Sequence, residues 1–133
     1  MIDVKQLPQV AVESINEVHA EEVQIVNTLL EALESGADFE TVSARLDAVL
    51  GHMAEHFAGE EALMIEHRFP MYRLHKGEHD KILQQARYAQ TEWRNRKDPE
   101  VLREYFEEEI GDWLDQHIKA MDTPLAQFLA ERA

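Results

Sequence analysis

The sequence predicts an all-α protein, an up-down-up-down antiparallel four-helix bundle with a short C-terminal helix. Three observations carry that expectation. Strong helix formers are abundant, while only five glycines and four prolines are spread over 133 residues. Apolar residues recur at spacings of three and four along four long stretches. No sustained alternation of apolar and polar residues between tight-turn pairs occurs, so nothing reads as a strand.

The first helix is expected from about Gln9 to Ser35, on Val12, Ile15, Val18 or His19, Val23, Val26, Leu29, Leu30 and Leu33. Gly36 suits its C-terminal cap, and Asp38 the N-cap of the next helix. That second helix runs to about Arg68 through Val42, Leu46, Val49, Met53, Phe57, Leu63 and Met64. Pro70 stops it, because proline disfavours helix in the residue before it. The third, from about Met71 to Arg96, carries Leu74, Ile82, Leu83, Ala86 and Trp93. Asp98-Pro99, an N-cap followed by proline in the first turn, opens the fourth on Leu102, Phe106, Ile110, Trp113, Leu114 and Ile118. Thr123-Pro124 repeats the start signal and predicts the short C-terminal helix to about Glu131. Helices of about 24–30 residues are each about 35–45 Å long, and their short connections make successive helices antiparallel neighbours.

Composition excludes several function classes. Thirteen basic against 27 acidic residues give a formal charge of −14, which opposes nucleic acid and anionic membrane surfaces alike. With no cysteine there is no disulfide, thiolate metal site or cysteine nucleophile. No apolar run approaches the ~20 residues of a membrane span, and no basic-then-apolar leader is seen. The expectation is one soluble, cytoplasmic, monomeric domain over residues 1–133.

Seven histidines in this chain are unusual, and their placement is the main signal. The first helix has His19, the second His56 and Glu60, the third His75 and His79, and the fourth His117 with Asp122 five residues on. Residues four apart lie one above the other on a helix face. His19 falls between Ile15 and Val23, and the other histidines likewise sit on or beside apolar stripes. A single such histidine is more often a hydrogen-bonded core or surface residue than a ligand. Four helices that each supply an inward histidine, three of them with a second polar residue about a turn away, point to a shared metal instead.

Five imidazoles and two carboxylates exceed one tetrahedral zinc, and are too rich in nitrogen for Ca²⁺ or Mg²⁺. They suit a pair of first-row metals with bridging carboxylates; iron is the natural choice, with manganese and zinc as competitors. The Glu-x-x-His pattern of ferritin-like carboxylate proteins is absent, since no histidine has Glu three residues before it. Asp122 poses a difficulty. Five residues along an α-helix is about 500°, some 140° off the direction of His117. Both reach one site only if the helix is distorted there, and Thr123-Pro124 supplies a cause.

These strings resemble the hemerythrin family, and especially its single-domain bacterial members. The resemblance rests on Ile15 to His19, His56 to Met64, His75-Lys76-Gly77-Glu78-His79, and Trp113 to Ile118 with Asp122, and it spans about residues 10 to 125. It implies two irons, Fe²⁺ or Fe³⁺, with an oxo or hydroxo bridge. It assigns His75, His79 and His117 to one iron, His19 and His56 to the iron with an open position, and Glu60 and Asp122 to both. The implied partner is dioxygen, bound reversibly for carriage, storage or delivery without catalysis, in a pocket walled by Phe57, Trp113, Leu114 and Ile118. A diiron oxygen or redox sensor, or a peroxide- or nitric-oxide-processing enzyme, would use the same ligands. A metal-free acidic helical interaction module would use none of them. The N-terminal arm is short and lacks the tryptophan often found in that family ahead of the first ligand helix. His67, beside the Pro70 turn, is expected on the surface. His52 lies one turn before His56, so spacing alone would make it an eighth ligand; it is expected instead one turn beyond the ligand set, towards the bundle end, either simply packed or solvent-exposed, or lining the approach to the pocket or holding a water beside the ligands.

Overall fold

The computed structural model describes residues 1–132. Four helical rods pack antiparallel: α1 (Glu13–Glu34), α2 (Phe39–Glu66), α3 (Tyr72–Arg96), and a composite fourth rod. The fourth consists of α4 (Pro99–Glu104), α5 (Ile110–His117) and α6 (Thr123–Ala130), joined by π-helical turns at Tyr105–Glu109 and Ile118–Asp122. There is no strand among the described residues, and no helix there is long and apolar enough to cross a membrane.

The caps follow the expected chemistry. The Asp38 side chain accepts from Thr41 N–H at 2.8 Å, and that of Asp98 from Glu100 N–H at 3.0 Å, with Pro99 in the first turn. Gly36 ends α1 at φ +71°, a left-handed conformation that costs glycine little. Lys97 takes the same region after α3, with its ammonium 4.9 Å from the centre of the Phe39 ring.

The N-terminus departs from the expected helix. Residues 9–12 are not helical, and α1 starts at Glu13. Two asparagines of α1 hold the arm by its backbone: Asn27 pairs with both N–H and C=O of Ile2 (2.9 and 2.8 Å), and Asn16 with both of Val10 (2.9 and 3.0 Å). These side-chain amides satisfy backbone groups that helix would otherwise have satisfied. Ile2, Val4, Leu7 and Val10 then pack on Val23, Leu114 and Ile118.

The main core fills one half of the bundle. It joins Val26, Leu29, Leu30 and Leu33 to Val42, Leu46, Val49 and Met53, and closes with Ile82, Ala86, Trp93, Leu102, Phe106 and Ile110. A smaller plug of Met64, Phe69 and Leu125 lies at the other end. Between them sits a polar layer, since each rod passes from core residues to one or more of the candidate ligands.

The fourth rod explains how Asp122 joins that layer. Leu102, Phe106, Ile110, Leu114, Ile118 and Asp122 are all buried and all spaced by four. In a regular α-helix each step of four drifts about 40°, so this stripe would wind off the core within a few turns. The π turns take up the drift: Ile110 N–H bonds Tyr105 C=O, and Thr123 N–H bonds Ile118 C=O, each five residues back. In such a turn the residue five along takes the place that the residue four along has in an α-helix. His117 and Asp122 therefore share a face. Thr123-Pro124 marks the start of α6, as the sequence indicates, but the backbone stays helical through the junction.

The Thr123 hydroxyl also donates to Ile118 C=O, at 2.9 Å. Thr123→Val keeps the shape and removes that bond. We expect a loss of about 1 kcal/mol, the usual worth of one internal hydrogen bond, with helical content unchanged. Denaturant unfolding monitored by circular dichroism checks it; wild-type stability would mean the hydroxyl does not help hold the π turn.

Candidate metal centre

All seven candidate residues converge. His19, His56, Glu60, His75, His79, His117 and Asp122 are buried, none more than 7% exposed. Their donor atoms form two overlapping groups, each with every atom within 4.8 Å of the others: Glu60, His75, His79, His117 and Asp122 in one, His19, His56, Glu60 and Asp122 in the second. The two carboxylates belong to both.

The oxygens divide the same way. Glu60 Oε1 lies 3.3 Å from His75 Nε2 and 3.2 Å from His79 Nε2, and Asp122 Oδ1 lies 3.1 Å from His75 Nε2 and 3.3 Å from His117 Nε2. On the other side Glu60 Oε2 is 2.6 Å from His56 Nε2, and Asp122 Oδ2 is 2.8 Å from His19 Nε2. Each carboxylate thus turns one oxygen to the three-histidine group, touching two of its rings, and the other to the two-histidine group, and every imidazole presents Nε2.

Most of these short separations are not aligned as hydrogen bonds. Nε2 of His19, His75, His79 and His117, Oε1 of Glu60 and both oxygens of Asp122 have no partner of acceptable direction. Buried lone pairs left this way cost free energy unless something at their common focus takes them up. The donor set fits a pair of first-row metal ions, each ligated by nitrogens and carboxylate oxygens.

The surroundings fix the rings. His117 stacks on Trp113 (4.3 Å between centroids, 14° between planes), and His79 on Phe57 (4.1 Å, 10°). His79 Nδ1 donates to Glu61 Oε2 at 3.0 Å, and His56 Nδ1 to Glu22 Oε1 at 3.0 Å. These contacts place the Nδ1 proton outward and aim Nε2 at the site, where that of His56 is hydrogen-bonded to Glu60 Oε2 at 2.6 Å. Of the four expected pocket residues, Phe57 and Trp113 lie against the three-histidine group. Leu114 and Ile118 instead join Val23, which is four residues after His19, under the N-terminal arm. His52 belongs to neither group and lies between Glu21 and Glu22; His67 is half-exposed.

Glu22 and Glu61 escaped the sequence reading. Glu61 adjoins Glu60 and looks like an ordinary surface charge. Glu22 had a signal, a carboxylate three residues after His19 on a stripe otherwise apolar.

The side chains alone set strong electrostatics. Burial presses the His75 imidazole down, but Asp122 and Glu60 outweigh it and push its pKa up to about 9. His56 is likewise raised well above the usual histidine value, with burial opposed by Glu22 and Glu60. Burial would raise Glu60 and Asp122, yet the imidazoles around them hold both below the usual carboxylate range. His117 goes down, because there burial prevails over Asp122.

Protons and metal ions compete for these lone pairs. A histidine whose folded pKa exceeds its unfolded value of about 6.5 stabilises the metal-free fold below that pH. For His75 this contribution fades as the pH rises through about 9. Metal should therefore raise the melting temperature more at the alkaline end of that window than at its acid end. Calorimetry of metal-free and loaded protein checks it, and a gain that shrinks with rising pH would contradict ligation by His75.

Comparison with known proteins agrees with this geometry. The family described as "Hemerythrin HHE cation binding domain" matches residues 10–129. A bacteriohemerythrin of Aquifex aeolicus (strain VF5) is 33% identical over 114 residues, 86% of this chain and 86% of that protein. A bacteriohemerythrin of Ralstonia nicotianae (strain ATCC BAA-1114 / GMI1000) is 35% identical over 106 residues, 79% of this chain and 74% of that protein. With a family match across most of its length, two such relatives, and a buried His, Glu and Asp cluster suited to metal, the chain belongs to the hemerythrin family.

Proposed function

We propose that the chain acts as a single diiron domain that binds dioxygen reversibly and is not an enzyme. In this reading His75, His79 and His117 hold one iron, His19 and His56 hold the second, and Glu60 and Asp122 bridge them. The observation that carries it is the unequal donor count. The first group offers five protein donors and the second four, so the second position has the more open coordination. An iron pair held by these residues, with an oxo or hydroxo bridge, would supply two-electron exchange with dioxygen.

The protein's own residues favour release over turnover. Val23, Leu114 and Ile118, with the arm folded over them, give an apolar wall next to His19 and His117 that keeps water out. Trp113 and Phe57 keep two imidazoles of the other group from turning. Among the described residues, the buried polar side chains outside the ligand set are Asn16 and Glu22. Asn16 is committed to Val10 and Glu22 to two histidines, so neither is a free acid beside the pocket.

The experiment is anaerobic iron loading followed by cycles of dioxygen and argon. We expect two irons per chain and a visible band that appears with dioxygen and disappears when it is removed. Irreversible oxidation on first exposure would overturn reversible binding and favour a redox sensor or a peroxide- or nitric-oxide-processing enzyme.

Leu114→Ala should keep both irons but open the wall. It should cost about 2–5 kcal/mol of stability, as buried leucine truncations do, and speed autoxidation of the oxygenated protein. Stopped-flow decay of the visible band reads this out; an unchanged rate would place the pocket elsewhere.

A further inference from the structure

Glu22 is a buried carboxylate outside the proposed ligand set, on a helix face it shares with Ile15, Val23 and Val26. A charge at such a place is costly unless it is hydrogen-bonded to a purpose, and an apolar residue there would pack without that cost. Its Oε1 lies 3.0 Å from His56 Nδ1 and 3.2 Å from His52 Nδ1. His52 in turn reaches Glu21 Oε1 through Nε2 at 3.0 Å, and the Glu21 side chain is 63% exposed. The line Glu21, His52, Glu22, His56 thus crosses from solvent on α1 and α2 to the back of one imidazole, whose front faces Glu60.

We infer that Glu22 is a positioning residue for the two-histidine metal position, and that His52 holds it in place. A carboxylate only accepts, so His56 Nδ1 carries a proton towards Glu22, and Nε2, which meets Glu60 Oε2 at 2.6 Å, is the nitrogen that a metal would take once its own proton is displaced. The negative charge behind the ring also makes that nitrogen a stronger donor and favours the higher oxidation state of the metal it binds. Glu61 makes the corresponding contact to His79, but it lies closer to solvent and has the Lys76 ammonium 3.9 Å away. Glu22 has no lysine or arginine partner among the described residues. Its charge therefore acts with less screening, and at one of the two positions only.

This inference rests on the diiron reading. Its test compares the wild type with Glu22→Gln, Glu22→Leu, His52→Leu and Glu61→Gln, all loaded anaerobically with Fe²⁺ and then challenged with a chelator. The wild type should hold two irons. In Glu22→Leu one iron should be held about 10–100-fold more weakly and the other as in the wild type, which makes removal biphasic. Glu22→Gln keeps shape and a hydrogen-bond acceptor but not the charge. It should retain both irons and raise the reduction potential of one; a tenfold change in the relative affinity for Fe³⁺ and Fe²⁺ corresponds to about 59 mV. His52→Leu should retain two irons and shift the same position by less. Glu61→Gln should shift the opposite position.

Wild-type removal rates and potentials in both Glu22 variants would overturn the inference. So would equal weakening of both irons, the mark of a general structural defect. Should Glu22→Leu fail to fold, the near-isosteric Glu22→Gln decides through the potential. A wild type that binds no iron pair would overturn the diiron reading itself and this inference with it.

Discussion

Glu60 and Asp122 each turn one oxygen towards the three-histidine group and the other towards the two-histidine group. The layout of the bundle follows from the need to keep both carboxylates dry. Bare, such groups would cost many kcal/mol to bury. With nitrogens from four helical rods around them, the same groups tie every rod to every other at one level of the bundle. The apolar packing is arranged to suit. A large core fills the half where α1 and α3 end and α2 and α4 begin, and the Met64, Phe69 and Leu125 plug closes the opposite end. Side chains fixed this way have little room to rearrange, which is what a site with several donors aimed at one focus requires.

Charge balance extends the same logic outward. Two divalent ions held as proposed against two carboxylates would leave an excess of positive charge that neutral imidazoles do not cancel. Glu22 and Glu61 stand one residue further out, each on the Nδ1 of a different ring. The pair is unequal: one is shut in with two histidines, and the other is half-open to water beside a lysine. Burial pushes the Glu22 carboxyl up, but its bonds to His52 and His56 prevail and hold it at about 2. It is therefore ionised at any ordinary pH.

Much of this was legible in the sequence because helix periodicity and cap chemistry are local. The rods, the Gly36 and Asp38 turn, the Asp98-Pro99 start and the inward histidines follow from spacing; leaving His52 out of the ligand set and bringing Asp122 in needed the family resemblance as well. The arm was not, because Asn16 and Asn27 read as ordinary helix residues until their partners, six and 25 residues away, come into contact. The distortion near Asp122 was foreseen from its spacing to His117, though its form was not. A strict step of four from Leu102 to Asp122 was the available clue, since no regular α-helix keeps such a row on one side. Glu22 stayed hidden for another reason. A charge on a helix is nearly always solvated, and only the neighbouring helix shows that this one is not.

The fastening of the arm has a consequence for motion. Ile2 and Val10 are each gripped through their own N–H and C=O by one amide side chain, the Met1 ammonium reaches Glu107, and the stretch between has no ladder of its own beyond a single 3₁₀ turn at Val4–Gln6. Opening there breaks a few hydrogen bonds and uncovers a small apolar patch, whereas opening the bundle uncovers its whole core. The arm thus forms a separate unit of local unfolding, low on the ladder of opening energies. Because it lies on Val23, Leu114 and Ile118, its release uncovers these three side chains while the rods stay packed.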